Sequence, residues 1–290
     1  MSTTVLGLPA APPRPVVELE RALLAVLRPA GSVLVAFSGG ADSALVVAAA
    51  ARALGPDAVA AATAVSDAVP EREVDGARRL AEGLGVAWHR PRTDELAREG
   101  YRRNDGDRCY FCKTELMHVL GPLARRLGLA HVATGTNADD LRAGFRPGVR
   151  AGAEAGALTP LADAGLSKAE VRALSAAWDL PTWDKPAAAC LSSRLAYGTA
   201  VTPERLRRVG DAEAAVRDRL GARVRDVRVR DLGADRARLE LDDACLRTLA
   251  EGDRDGLRGL VRATGFVDVA VERFRSGAMN ELLPDPARFR

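Results

Sequence analysis

Several features that would narrow the chemistry at once are scarce in this sequence. No apolar run approaches the roughly 20 residues that a bilayer-spanning helix needs; the longest, Ala44 to Ala51, stops at Arg52. No membrane partner is therefore expected. Only three histidines occur, His89, His118 and His131, and their spacing matches no ligand pattern, which speaks against a histidine-built metal centre. Four cysteines among 290 residues are too few for a disulfide scaffold. Aromatic residues make up 4%, so the core has to be assembled from Ala, Val and Leu. Charge is plentiful but balanced, 42 basic against 39 acidic residues, without the concentrated basic face that a nucleic-acid partner calls for. The opening MSTTVLGLPAAPPRPVVELE has no basic start followed by an apolar stretch, so no targeting segment is read there and a cytoplasmic protein is expected. Residues 1–15, rich in proline, read as a flexible lead-in.

What is present is an alternation. VLVAF (Val33 to Phe37) is a nearly all-apolar run that breaks off at SGG, the pattern of a strand buried on both faces of a parallel sheet. An Ala- and Leu-rich helical stretch follows to Leu54. Further strands are expected at Ala58 to Val65, Val86 to Arg90 and His131 to Asn137, with helices between them, among them Pro70 to Leu84. Such alternation predicts an α/β fold with an open parallel sheet and crossover helices. Residues 142–160, rich in Gly, Arg and Pro, read as a loop, and Ser167 with Glu170 as a capping box for a helix reaching Trp178. After residue 200 the style changes. A charged helix, Pro203 to Leu220, precedes RVRDVRVRDL, ARLELD and FVDVAVERF, which alternate as strands with one exposed face do. The expected organisation is a domain over 16–200 and a smaller α+β domain over 201–290.

The strongest single motif is SGGADS, Ser38 to Ser43, directly after the buried strand. Ser38, Gly39, Gly40 and Ser43 can form an anion cradle, because glycines admit close backbone approach and a helix N-terminus presents unpaired N–H groups. Asp42 would repel a phosphate unless Mg²⁺ stood between them, and is the candidate Mg²⁺ ligand. Gly135, in ATGTNADD, ends another expected strand, so it faces the same crevice at the carboxyl ends of the sheet. Asp139 and Asp140 bind metal or cap a helix; the sequence does not decide between the two.

A strand–SGGxDS–helix unit resembles the PP-loop of the ATP pyrophosphatases. With ATGTNADDL, FRPGVRA, LPTWDKPAAACLSSRLAYGTAVTPERL and RFRSGAMNELL in the same order, the chain after its first 15 residues resembles the LarE family of ATP-dependent sulfur transferases. The resemblance implies that ATP adenylates a carboxylate of a pyridinium-3,5-dicarboxylate mononucleotide, releasing pyrophosphate. A sulfur nucleophile then displaces AMP and leaves a thiocarboxylate, in the making of the nickel-pincer nucleotide of lactate racemase. It also implies a homo-oligomer that needs sulfide or another sulfur donor. In the simplest members a cysteine matching Cys190 gives up its own sulfur and becomes dehydroalanine.

This chain adds Cys109 and Cys112 in RCYFCK. Three residues apart on a helix, they share a face, and with Cys190 they make three thiolates, a set suited to a 4Fe-4S cluster with one iron open. Zinc on the same thiolates and a sacrificial Cys190 beside a structural pair are the alternatives. Cys245 reads as a buried small hydrophobe. Lys113, beside Cys112, is a candidate for neutralising ATP phosphates. Arg194, with Arg228 and Arg230 on one strand face, is a candidate clamp for the substrate phosphate, since guanidinium forks match phosphate oxygens; a solvated strand face is the alternative. Glu213 reads as a polar residue of the second domain. The competing functions are a tRNA-thiolating enzyme, an amide-forming PP-loop ligase and a nucleotide- or cluster-binding regulator.

Overall fold

The computed structural model describes residues 14–144, 146–186, 189–275 and 279. Most of the expected lead-in, the middle of KPAAAC and most of RFRSGAMNELL lie outside the described residues. None of the helices among those described is long and apolar enough to cross a membrane.

Four parallel strands form the first sheet in the order β3-β2-β1-β4: β1 Val33–Ala36, β2 Val59–Ala62, β3 Ala87–His89 and β4 His131–Ala133. Each is shorter than its apolar run suggests, because the chain leaves the ladder where it enters the site. Helix α1 (Val16–Leu27) and helix α2 (Ala41–Leu54) pack together on one face. Ser43 to Ala50 in α2 are all buried; a helix enclosed on nearly every side needs small residues, which explains its alanines. Helices α3 (Glu71–Gly83), α4 (Glu99–Arg103) and α5 (Arg108–Arg126) follow. Met117, Leu120 and Ala124 of α5 cover the opposite face of the sheet, over Leu34 and Ala60.

Residues 142–160 are not a continuous loop. After α6 (Ala138–Arg142), helix α7 runs Pro147–Glu154 and packs along α5. Pro147 suits a first helical position, and the pairing is fixed by Tyr110, whose hydroxyl donates to Glu154 at 2.6 Å while Arg150 lies 4.6 Å from its ring centroid. These tertiary contacts override a Gly- and Arg-rich composition that reads as coil. A short α8 (Pro160–Asp163) leads to α9 (Lys168–Ala177), which starts with the Ser167–Glu170 capping box.

Glu170 also binds Arg14, with Nε to Oε1 at 2.9 Å. That hydrogen bond, opposed by burial and helped by the Ser167 amide and hydroxyl, holds the carboxyl at about 2 against an ordinary 4.5. A depressed acid stabilises the fold above its unfolded value and loses that contribution as pH falls through its folded value. The melting temperatures of the wild type and Glu170→Gln should differ fully above pH 4.5 and converge towards pH 2; acid titration of thermal melting checks this.

Helix α10 (Pro203–Leu220) opens the remaining part, followed by β5 (Val227–Asp231), β6 (Arg236–Leu241), α11 (Asp243–Thr248), α12 (Glu251–Arg262) and β7 (Asp268–Arg273). Strand β6 pairs antiparallel with β5 and parallel with β7. The expectation of a one-sided strand is corrected at β5, which is buried throughout. Val227 and Val229 face the core, while Arg228 and Arg230 are buried on the other face beneath the segment around Cys190. This second core holds Cys245, but it also takes in Tyr101, Leu191 and Leu195 from the earlier part of the chain.

Candidate active site

At the carboxyl ends of β1, β2 and β4 lies a cavity of about 430 Å³, lined by Ser38, Asp42, Ser43, Lys113, Gly135 and Cys190 among others. Its floor is the turn into α2. Gly39 adopts φ +66°, and a Cβ there would come within 3.2 Å of Ala77, so the turn needs glycine. Ser43 Oγ closes the loop: it accepts from the Ser38 N–H at 3.2 Å and donates to the Gly40 carbonyl at 3.2 Å. Gly40 is the N-cap of α2 and has no side chain to satisfy the first turn, leaving N–H groups for an anion. Gly135 is required by close approach, because a Cβ would lie 2.9 Å from the Ser43 nitrogen.

Asp42 is engaged within the protein. The Lys168 ammonium pairs with its carboxylate, and Asn137 Nδ2 donates to Oδ1 at 3.2 Å. Asn137 also caps α6 by accepting from the Asp139 and Asp140 N–H groups. Asp140 returns a bond to the Asn137 N–H and lines the cavity, while Asp139 accepts from the Lys168 N–H at 2.8 Å. The Asp pair thus serves as a cap, and a Mg²⁺ ion at Asp42 would have to displace the Lys168 ammonium.

Two of the thiols line the same cavity. Cys109 and Cys112 stand in the first turns of α5, and Cys112 and Cys190 both line the wall. Burial, then the nearby Cys190 thiol and the Glu95 carboxylate, push the Cys112 thiol well above its ordinary value. Burial also lowers Lys113, which faces the same space. Three thiols are the donor type of a thiolate-held metal or cluster, although burial holds Cys109 and Cys112 above their ordinary value. Among the described residues, however, no three such side chains are gathered in a ligand geometry.

A second cavity, of about 190 Å³, adjoins the first and shares Pro70, Glu73 and Ala189 with it. Arg72, Lys185, Arg194, Arg217, Arg225 and Arg228 line it. Arg194 spends its donors on protein: Nε and Nη2 hold Glu213 at 2.8 and 3.1 Å, and Nη1 donates to the Ala189 carbonyl at 2.6 Å. Arg230 pairs with Glu240 at 2.9 Å and donates to the Ser193 carbonyl at 3.1 Å. Arg228 lies 4.0 Å from Asp226 and donates to the Val227 carbonyl at 2.8 Å. Burial and the adjacent Arg194 push it down to about 10. It remains a cation at neutral pH, in a setting that favours an arriving anion.

Of the residues singled out in the sequence, the phosphate loop, Cys112 and Cys190 line the first cavity, and Arg194 and Arg228 line the second. The sequence reading missed Lys168, Glu73, Glu95, Lys185, Arg72, Arg217 and Arg225. The cations carry no motif, since an Arg-rich chain offers many equivalent candidates and only tertiary placement selects among them.

Comparison with known proteins narrows the class. A family model described as NAD synthase matches residues 21–196. A pyridinium-3,5-bisthiocarboxylic acid mononucleotide synthase of Lactiplantibacillus plantarum is 36% identical over 267 residues, covering 90% of this chain and 93% of that protein. The chain belongs to the LarE family, within the PP-loop class. An uncharacterized protein of Synechocystis sp. is 43% identical over 253 residues, 86% of this chain and 92% of its own. LarE-family membership covers both the cavity at the sheet and the arginine pocket, because the alignment with the synthase runs across nearly the whole chain.

Proposed function

We propose that this protein is an ATP-dependent sulfur transferase that acts on a pyridinium-3,5-dicarboxylate mononucleotide, as the printed name of its L. plantarum relative suggests. The observation that carries the reading is the shared wall: the phosphate-loop cavity also holds Cys112 and Cys190, and Glu73 and Ala189 join it to an arginine pocket. A substrate with its phosphate among Arg72, Arg217, Arg225 and Arg228 can present a ring carboxylate to a nucleotide on the α2 N-terminus.

The chemistry follows from leaving groups. A carboxylate is a poor acyl donor, and attack of its oxygen on the α-phosphorus of ATP gives an acyl-adenylate and pyrophosphate. Ser38, Ser43 and the first-turn N–H groups of α2 hold the departing phosphates, with Lys113 adding positive charge; Asp42, now paired with Lys168, would hold a Mg²⁺ ion that neutralises phosphate charge. Sulfur attack on the acyl carbon then expels AMP and leaves the thiocarboxylate. Cys109, Cys112 and Cys190 would hold a 4Fe-4S cluster, which supplies, when bound, a sulfur atom that is not the protein's own. Without it, the Cys190 sulfur attacks the adenylate and expels AMP to give a thioester, and loss of the Cα proton with cleavage of the Cβ–S bond releases the thiocarboxylate and leaves dehydroalanine. The same reading makes the protein a cytoplasmic homo-oligomer supplied by sulfide or another sulfur donor.

Anaerobic purification with iron and acid-labile sulfide analysis separates the two routes. About four iron and four sulfide per chain, lost in Cys109→Ala, is the expected result. Absence of both after reconstitution, with Cys190 converted to dehydroalanine after turnover, would assign the sacrificial route.

A further inference from the structure

Lys185 is used by none of the steps above, yet it stands between all the parts they require. Its ammonium donates to the carbonyl of Gly39, in the phosphate loop, at 3.0 Å and to the Glu73 carboxylate at 3.0 Å. Glu73 is the carboxylate common to both cavities. Burial opposes its ionisation, but the hydrogen bond and charge of Lys185, with Arg72 and Arg217 nearby, hold it below its ordinary value, so a charged pair sits on the partition.

The backbone carrying Lys185 is itself tied down from two sides. Arg172 of α9 donates to the Trp183 and Lys185 carbonyls, each at 2.9 Å. Arg225, a wall of the arginine pocket, donates to the Asp184 carbonyl at 2.6 Å. Residues 183–185 are therefore a strap joining α9, the arginine pocket and, through one ammonium, the phosphate loop. Cys190 follows five residues later. On its other side Cys190 is secured independently: the Leu191 N–H donates to the Ala68 carbonyl at 2.8 Å, and Arg194 holds the Cys190 carbonyl at 3.1 Å.

We infer that Lys185 is a positioning residue for sulfur transfer, anchoring the Cys190 segment to the phosphate loop so that the sulfur meets the adenylate where it forms. The phosphate loop keeps its own bonds through Ser38 and Ser43. The upstream approach to Cys190 has, among the described residues, the strap and the Lys185 bond to that loop. Loss of the ammonium should therefore harm the second half-reaction more than the first. An adenylate that waits too long for sulfur is attacked by water instead, returning the carboxylate and AMP. ATP is then consumed without product.

The inference rests on the proposed function, and the test separates the two. The full-length protein, reconstituted anaerobically, is given ATP, Mg²⁺, sulfide and pyridinium-3,5-dicarboxylate mononucleotide. Pyrophosphate and thiocarboxylate are counted together for the wild type, Lys185→Met and Lys185→Arg. A displacement of about 1 Å can cost ~100-fold in a positioned reaction. Lys185→Met is thus expected to lose ~10- to 100-fold in thiocarboxylate formation but less than ~3-fold in pyrophosphate release. The ratio of pyrophosphate to product should rise accordingly, and Lys185→Arg should restore part of the coupling. Glu73→Gln, which weakens the hold on the ammonium without removing it, should uncouple to a smaller degree and serves if Lys185→Met does not fold. A ratio unchanged in folded Lys185→Met or Glu73→Gln overturns the inference alone. Absence of substrate-dependent pyrophosphate release from the wild type overturns the functional reading, and this inference with it.

Discussion

Cys190→Ala should abolish thiocarboxylate formation, by more than ~100-fold, while substrate-dependent pyrophosphate release stays within about threefold of wild type. The two activities separate because different groups lining one cavity would serve them. In the proposed reaction adenylation would draw on the α2 N-terminus, Ser38 and Ser43 rather than on Cys190. Sulfur delivery needs Cys190 whether it is a cluster ligand or the donor itself. Its Sγ lies 2.9 Å from Ser192 Oγ, and its backbone is pinned by Arg194, so alanine removes the sulfur with little other disturbance. Cys109→Ala divides the two sulfur routes: it should fall with Cys190→Ala if three thiolates act together, and keep a single turnover if Cys190 acts alone. An amide-forming ligase requires neither cysteine. Full activity of Cys190→Ala would favour that reading and defeat the one proposed here. Simultaneous assays of pyrophosphate and of product by mass spectrometry give the answer.

The largest effect on stability is expected at Arg194. Its guanidinium and the Glu213 carboxylate are 3% and 1% exposed and meet through two hydrogen bonds; Glu213 also accepts from the Val229 N–H at 3.1 Å. Arg194→Met leaves a buried carboxylate with the longer Arg72 pair, at 3.9 Å, in place of its close cation. Breaking such a pair costs about 3–5 kcal/mol, or a fall of roughly 10 °C in melting temperature at this chain length. Arg194→Met/Glu213→Leu removes both charges and should recover most of the loss. If the double variant melts no higher than the single one, the penalty arises from lost packing around the Cys190 carbonyl and not from the stranded charge. Calorimetry of the three proteins, with the wild type, decides. Arg194 would accordingly act as a strut of the arginine pocket, its guanidinium held by Glu213 and the Ala189 carbonyl.

The contrast between Arg194 and Arg228 shows what could be read from the chain and what could not. The parallel sheet was legible because β1 and β2 are continuous apolar runs, and the phosphate loop because glycine, serine and a following helix occur together. The Ser167–Glu170 capping box is likewise written locally. Arg194, Arg228 and Arg230 all read alike as phosphate ligands, because nothing near them in sequence reveals that Glu213 and Glu240 will meet two of them. Lys185 stands inside the quoted segment LPTWDKPAAAC, but nothing there points to Glu73, 112 residues away. Helix α7 was hidden for the same reason: Tyr110 and Glu154, which secure it, belong to different segments.

Tyr101, Leu191 and Leu195 lie in the second core although they precede α10 in the chain. The ground on which Cys190 stands is thus furnished largely by residues translated after it. During synthesis the sheet and its phosphate loop can assemble while Leu191 and Leu195 still await the partners that will bury them. The nucleotide site can in this way precede the thiol site in time, and the cysteine takes its working position only when the last strands of the chain have arrived.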